Sequence, residues 1–135
     1  MYRSILQMIS KLFVVLCCLL GVVLAVEKYS DKYDNVDYKM ILENERLLLG
    51  YSDCLLDKGK CTAEGKAIKE NIQEALENGC ERCTDRQKQG IKDVISYVIK
   101  HYPALWKEIT DKYDPEGIWR KKYENFAKEE GIAIP

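Results

Sequence analysis

Histidine occurs once in this 135-residue sequence, phenylalanine twice and proline three times. A single His101 cannot build a multi-histidine metal site, and no G-x-S-x-G, H-E-x-x-H or phosphate-loop motif accompanies it. One histidine beside a helix end is ordinarily structural or solvated, so a dyad with a nearby acid is the weaker reading. The calcium-loop pattern needs a glycine at its sixth position, which is absent after both Asp31 and Asp34. Those acids and Asp37 instead cluster near the start of the first helix, where they complement its dipole. No enzyme, cofactor or metal is therefore expected. Neither charge sign dominates: 21 basic against 22 acidic residues give a formal net charge of −1. No basic face follows from that balance, and nucleic acid is excluded as the expected partner. Repeats, low-complexity tracts and strand-like alternation are missing as well.

Long apolar runs are also missing. Leu12–Leu24 runs thirteen residues without a charge, against about 20 apolar residues for a spanning helix. It follows Arg3 and Lys11, ends in the small-residue pattern Val23-Leu24-Ala25, and gives way at once to polar sequence from Glu27. That is the form of a secretory signal cut after Ala25, not of a membrane anchor. Residues 1–25 thus read as a cleaved leader, taking Cys17 and Cys18 with it, and 26–135 as one secreted, extracellular domain that reads as a monomer. Without Arg3 and Lys11 the domain has 19 basic and 22 acidic residues, a net −3. A domain of this size buries roughly two-thirds of its unfolded surface, so crosslinks help it.

Four cysteines remain, spaced Cys54-x6-Cys61-x18-Cys80-x2-Cys83. An even number in a short secreted chain reads as two disulfides with three possible pairings. The local pairing, Cys54 with Cys61 and Cys80 with Cys83, is favoured because each pair brackets a turn. Six residues between the first two cysteines is wide for a zinc finger, and no strand–helix–strand pattern surrounds Cys80-Glu81-Arg82-Cys83 to make it a redox pair.

Residues 26–35 lack helical period and read as an extended arm. Beyond them the apolar residues recur at helical spacing almost to the end. Val36, Met40 and Ile41 open a first short helix. Leu47, Leu48, Tyr51 and Leu55 mark a second, stopped by Gly59. Ile68, Ile72, Ala75 and Leu76 mark a third, from near Thr62 to Asn78-Gly79. Thr84 and Gln87 form a capping box for a fourth, whose stripe is Ile91, Val94, Ile95, Val98, Ile99 and Tyr102. Pro103 suits the first turn of a fifth helix, with Leu105, Trp106, Ile109 and Tyr113 facing inward. After the turn at Asp114-Pro115-Glu116-Gly117, Trp119, Tyr123, Phe126 and Ala127 outline a sixth. The class is all-α. With Tyr2 and Phe13 in the leader, the domain holds eight tyrosines, two tryptophans and one phenylalanine. Such amphipathic rings serve as core residues with a wet tip, or line an apolar cavity whose few polar groups orient a ligand.

The cysteine spacing resembles that of the insect chemosensory proteins. So do Lys32-Tyr33-Asp34-Asn35, Asn44 with Arg46-Leu47-Leu48, Cys54-Leu55-Leu56-Asp57-Lys58-Gly59-Lys60-Cys61-Thr62, Gln87-Lys88, Pro103-x-x-Trp106, and Lys112-Tyr113-Asp114-Pro115 with Gly117. The segment from Trp119-Arg120-Lys121-Lys122-Tyr123 to Gly131-Ile132-Ala133-Ile134-Pro135 is similar to moth members of the family. The resemblance covers essentially all of 26–135. It implies six helices around a hydrophobic channel, adjacent disulfides, and reversible binding of long-chain fatty acids, alcohols, esters, and pheromone or odorant components. It further implies Tyr33, Asp34 and Tyr51 near the channel mouth, and Trp106, Trp119 and Tyr123 along the ligand path. Ile41, Leu48, Ile68, Ile72, Leu76, Val94 and Val98 would line or back the channel. Gln73 stands where many relatives have proline, which implies a straighter third helix. Ile118-Trp119 replaces a commoner lysine–tyrosine pair. Because the family is not confined to sensory organs, the resemblance leaves two alternatives open. One is a secreted developmental or regenerative factor acting through a protein partner; the other is a lipid carrier for cuticle or gland secretion.

Overall fold

The computed structural model describes residues 2–19 and 25–135, and within the first segment only the side chains of residues 3–12. The first helix, α1, spans Tyr2–Leu19, and Met8 and Leu12 on it are largely exposed. Val23 and Leu24 of the cleavage pattern, and the side chains of Cys17 and Cys18, lie outside the described residues. Among the described residues, no helix is long and apolar enough to cross a membrane.

Six further helices follow: α2 (Tyr38–Glu43), α3 (Glu45–Leu55), α4 (Ala63–Asn78), α5 (Asp85–His101), α6 (Pro103–Tyr113) and α7 (Ile118–Glu129), with no strand among the described residues. Short polar caps set four of the starts. Asp37, Asn44, Thr62 and Thr84 each accept, through the side chain, the backbone N–H three residues on, at 3.1–3.2 Å, satisfying a donor the helix itself leaves orphaned. The Gln87 side chain accepts the Thr84 N–H at 3.1 Å, completing the capping box. Pro103 sits in the first turn of α6. Gly79 ends α4 in the left-handed conformation at φ 65°, and α4 runs unbroken through Gln73.

The end of α3 differs from expectation. The helix stops at Leu55, and Gly59 does not terminate it. Asp57 takes the left-handed conformation at φ 61°, which aspartate tolerates better than most residues. Donors from α6 make a glycine unnecessary there: Lys112 Nζ and the Tyr113 hydroxyl (2.8 Å) both donate to the Leu55 carbonyl. Lys112 and Lys69 both pair with the Asp57 carboxylate, and their hydrogen bonds hold its pKa down to about 2. The Cys54–Cys61 disulfide closes this turn, and Cys80–Cys83 closes the turn after α4, the local pairing the turns favour.

The packed core is small. Leu42 on α2, Leu48 on α3 and Val98 on α5 form its buried centre, with Tyr38, Val94, Tyr97, Tyr102, Leu105 and Trp106 half-buried against it. Helix α3 touches α2, α4 and α6, while α5 touches α2 and α6. On α2 the inner residue is Leu42, and Met40 is 55 % exposed; a six-residue helix is too short for periodicity to identify its inner face. The α5 stripe also starts outside, at half-exposed Ile91, and is fully buried only at Val98.

The arm before α2 is tied down. It contains a 3₁₀ turn, Asp31–Tyr33, and docks on the Cys80–Cys83 turn. Tyr29 N–H donates to the Arg82 carbonyl (2.7 Å), Lys28 Nζ to the Glu81 carbonyl (2.7 Å), and Arg82 Nε to the Glu27 carbonyl (2.8 Å). The Arg82 guanidinium lies 4.8 Å from the centre of the Tyr29 ring.

Candidate ligand-binding interior

Helix α3 supplies Leu48, α5 supplies Val94 and Val98, and α6 supplies Trp106; these four predicted residues meet in the central cluster. The spacing explains it, since Val94 and Val98 stand one turn apart on α5. Ile41, Tyr51, Ile72 and Leu76 are half-buried on α2, α3 and α4, whereas Ile68 is 51 % exposed. Tyr51 lies close to α4: an added Cβ on Gly65 would stand 3.5 Å from Tyr51 Cδ1.

A second meeting point joins α4 and α7. The Tyr123 hydroxyl donates to the Leu76 carbonyl at 2.5 Å, and a Cβ at Gly79 would come within 3.4 Å of that hydroxyl. Glycine at 79 thus serves both the left-handed cap and the close approach of the ring. Trp119 is half-buried at the start of α7, where its backbone N–H donates to Asp114 Oδ1 at 3.1 Å.

Asp34 does not serve the start of α2. Its carboxylate accepts the Thr84 hydroxyl at 2.6 Å and Gln87 Nε2 at 2.8 Å, so it reinforces the start of α5 from 50 residues upstream. The acid that caps α2 is Asp37. Tyr33 is half-buried in the arm, with Lys32 Nζ 5.2 Å from its ring centre.

Residues that periodicity did not single out complete the interior. Tyr38 lies across α5: its ring would touch a Cβ at Gly90 at 3.4 Å, and its hydroxyl donates to Asp93 Oδ2 at 2.6 Å. That bond raises the tyrosine pKa and lowers that of the carboxyl. The signal was present in Gly90, which sits inside α5 as the one residue type that leaves room for a ring. Leu42 and Tyr97 also form part of an open groove of about 460 Å³ between α2 and α5, whose other walls are Lys39, Glu43, Asp93, Ser96, Lys100 and His101. The exposed His101 ring lies 4.4 Å from that of Tyr97. One polar atom in the cluster stands out. Trp106 Nε1 is buried and has no hydrogen-bond partner. Among the described residues no group of three or more histidines, cysteines or acids is placed to hold a metal ion.

Comparison with known proteins accounts for this arrangement. The model of the insect pheromone-binding family, A10/OS-D, matches residues 29–121. The allergen Tha p 1 of Thaumetopoea pityocampa is 50 % identical over 99 residues, covering 73 % of this chain and 79 % of that protein. Ejaculatory bulb-specific protein 3 of Drosophila melanogaster is 43 % identical over 117 residues, covering 85 % of this chain and 93 % of that one. A chemosensory protein solved in complex with bromo-dodecanol is 52 % identical, with a TM-score of 0.69 over 74 % of this chain and 100 % of that one. Antennal chemosensory protein A6 of the moth Mamestra brassicae is 50 % identical, with a TM-score of 0.61 over 74 % of this chain and 98 % of that one. The chain belongs to the insect pheromone-binding family A10/OS-D, the chemosensory proteins, which bind ligands and are not enzymes.

Proposed function

We propose that this chain is the precursor of a secreted carrier. It loses residues 1–25 and reversibly binds small hydrophobic molecules among its helices: long-chain fatty acids, alcohols, esters, and pheromone or odorant components. The observation that carries the reading is the relative solved with bromo-dodecanol, 52 % identical across its whole length. The interior agrees with it, since only three apolar side chains form the fully buried centre and tyrosines and tryptophans half-buried around them supply much of the remaining apolar surface. In this reading Tyr33 and Tyr51 stand at the ligand entrance, while Trp106, Trp119 and Tyr123 flank the path. The protein works as a monomer.

Each methylene buried contributes up to about 0.8 kcal/mol before the costs of association and chain ordering, which puts C12–C18 chains in the micromolar range. Displacement of a fluorescent lipophilic probe from the processed protein tests this. Competition by dodecanol or a fatty acid at low micromolar concentration is expected. No competition below about 100 μM, near −5.5 kcal/mol, would overturn the carrier reading. The intact mass of the protein secreted from insect cells should begin at Val26.

A further inference from the structure

We propose that the Trp106 indole N–H receives the oxygen of a bound chain, and that it selects neutral oxygenated ligands over both the hydrocarbon and the carboxylate. The inference rests on the carrier reading and adds to it the chemistry of the preferred head group. Trp106 packs against the Leu42–Leu48–Val98 cluster, and its Nε1 is buried without a partner. An indole N–H can only donate, and a buried donor left unpaired is unfavourable enough that nearly all find an acceptor. Buried hydroxyls on α3 and α6 follow that rule: Ser52 on α3 donates to the Leu48 carbonyl at 2.8 Å, and Thr110 on α6 to the Lys107 carbonyl at 3.0 Å. Trp106 differs from both. A ligand oxygen reaching this cluster supplies the acceptor that the fold does not.

The surroundings then decide the charge. Around the buried centre the packed side chains are aliphatic and aromatic, and the cations beside Leu42 and Tyr97, namely Lys39, Lys100 and His101, line the open groove between α2 and α5. A carboxylate drawn past that groove to the indole gives up its water among apolar side chains. A hydroxyl, ester or aldehyde oxygen accepts the same hydrogen bond without that penalty. A halogenated or plain hydrocarbon of equal length fills the space and leaves the N–H unpaired.

The test uses four compounds with a C12 chain on the processed protein: 1-dodecanol, dodecyl acetate, dodecanoate at pH 7, and 1-bromododecane. Probe displacement should rank the alcohol and acetate first. Trp106→Phe keeps a ring and removes the donor. It should weaken the alcohol and acetate about three- to tenfold, while leaving 1-bromododecane within about twofold of wild type. Independently of any variant, the Trp106 indole ¹H–¹⁵N resonance should move downfield from its position in the free protein with the alcohol and stay put with 1-bromododecane. Equal affinity of all four compounds, an equal loss for all four in Trp106→Phe, or the same indole shift with both ligands would overturn the inference while leaving the carrier reading intact. Failure of every compound to displace the probe would sink the carrier reading, and this inference with it.

Discussion

Replacing Asp114 should cost this protein more stability than its position in a loop suggests. The residue precedes α7 by four positions and is only 6 % exposed. Gly117, the N-cap of α7, offers no side chain to the helix. The Asp114 carboxylate takes over that role, accepting Trp119 N–H at 3.1 Å, Arg120 N–H at 3.0 Å and Arg120 Nε at 3.2 Å. Losing a helix-start acceptor costs about 1 kcal/mol, and hydrogen bonds to a charged group are worth about 1.5–3 kcal/mol. The Arg120 side chain is 33 % exposed, so its pairing adds at most about 1 kcal/mol after screening. Asp114→Ala should therefore lose about 2–4 kcal/mol in urea denaturation, or roughly 8–20 °C in Tm for a domain of this size. Asp114→Asn keeps one acceptor oxygen and loses the charge, so it should fall about halfway. Acidity supplies a second readout. Burial alone would raise the Asp114 pKa, but the two backbone N–H groups and the guanidinium outweigh it and hold it below the ordinary value of 3.8. A carboxyl depressed in the folded state stabilises fully above its unfolded pKa, and that contribution fades as pH drops through the folded one. Wild type should thus lose stability below about pH 4, and Asp114→Asn should lose less over the same range. Stability of Asp114→Ala within about 0.5 kcal/mol of wild type at pH 7 would refute the reasoning.

Gly65→Ala would ordinarily gain up to about 1 kcal/mol of helix propensity. Here the new Cβ meets Cys54 Sγ at 3.2 Å and Thr62 Oγ1 at 3.4 Å; the sulfur is fixed by its disulfide and cannot yield, so a lower Tm is expected and a higher one would contradict the packing. Tyr51→Ala should weaken long-chain alcohols by about 1–2 kcal/mol, and Tyr51→Phe by about 0.5–1.5 kcal/mol if its hydroxyl meets the ligand. Unchanged probe displacement in a stably folded Tyr51→Ala would remove it from the site.

The helices were legible where local chemistry decides them. Thr84 with Gln87, Pro103 and Gly79 each act within four residues of chain, so sequence alone locates the ends they set. What escaped was made by residues far apart. The end of α3 depends on Lys112 and Tyr113 reaching the Leu55 carbonyl across 57 and 58 residues, and no local pattern encodes that. Asp34 looked like a helix-start acid because it precedes α2, yet its acceptors serve α5. Periodicity found Leu48 and Val98 because α3 and α5 have the turns to display a face. It missed Leu42 because α2 has fewer than two turns.

The docking of the arm has a consequence for biosynthesis. The chain is synthesised amino-terminus first, so Glu27–Asp34 emerges well before the partners that hold it, 50–57 residues further on. The Cys80–Cys83 turn spans three residues in sequence and can close as soon as it appears. The arm cannot be fixed until that turn and the start of α5 have followed it. The first part of the domain to be translated is thus held only after α2, α3 and α4 have emerged and are already available to fold.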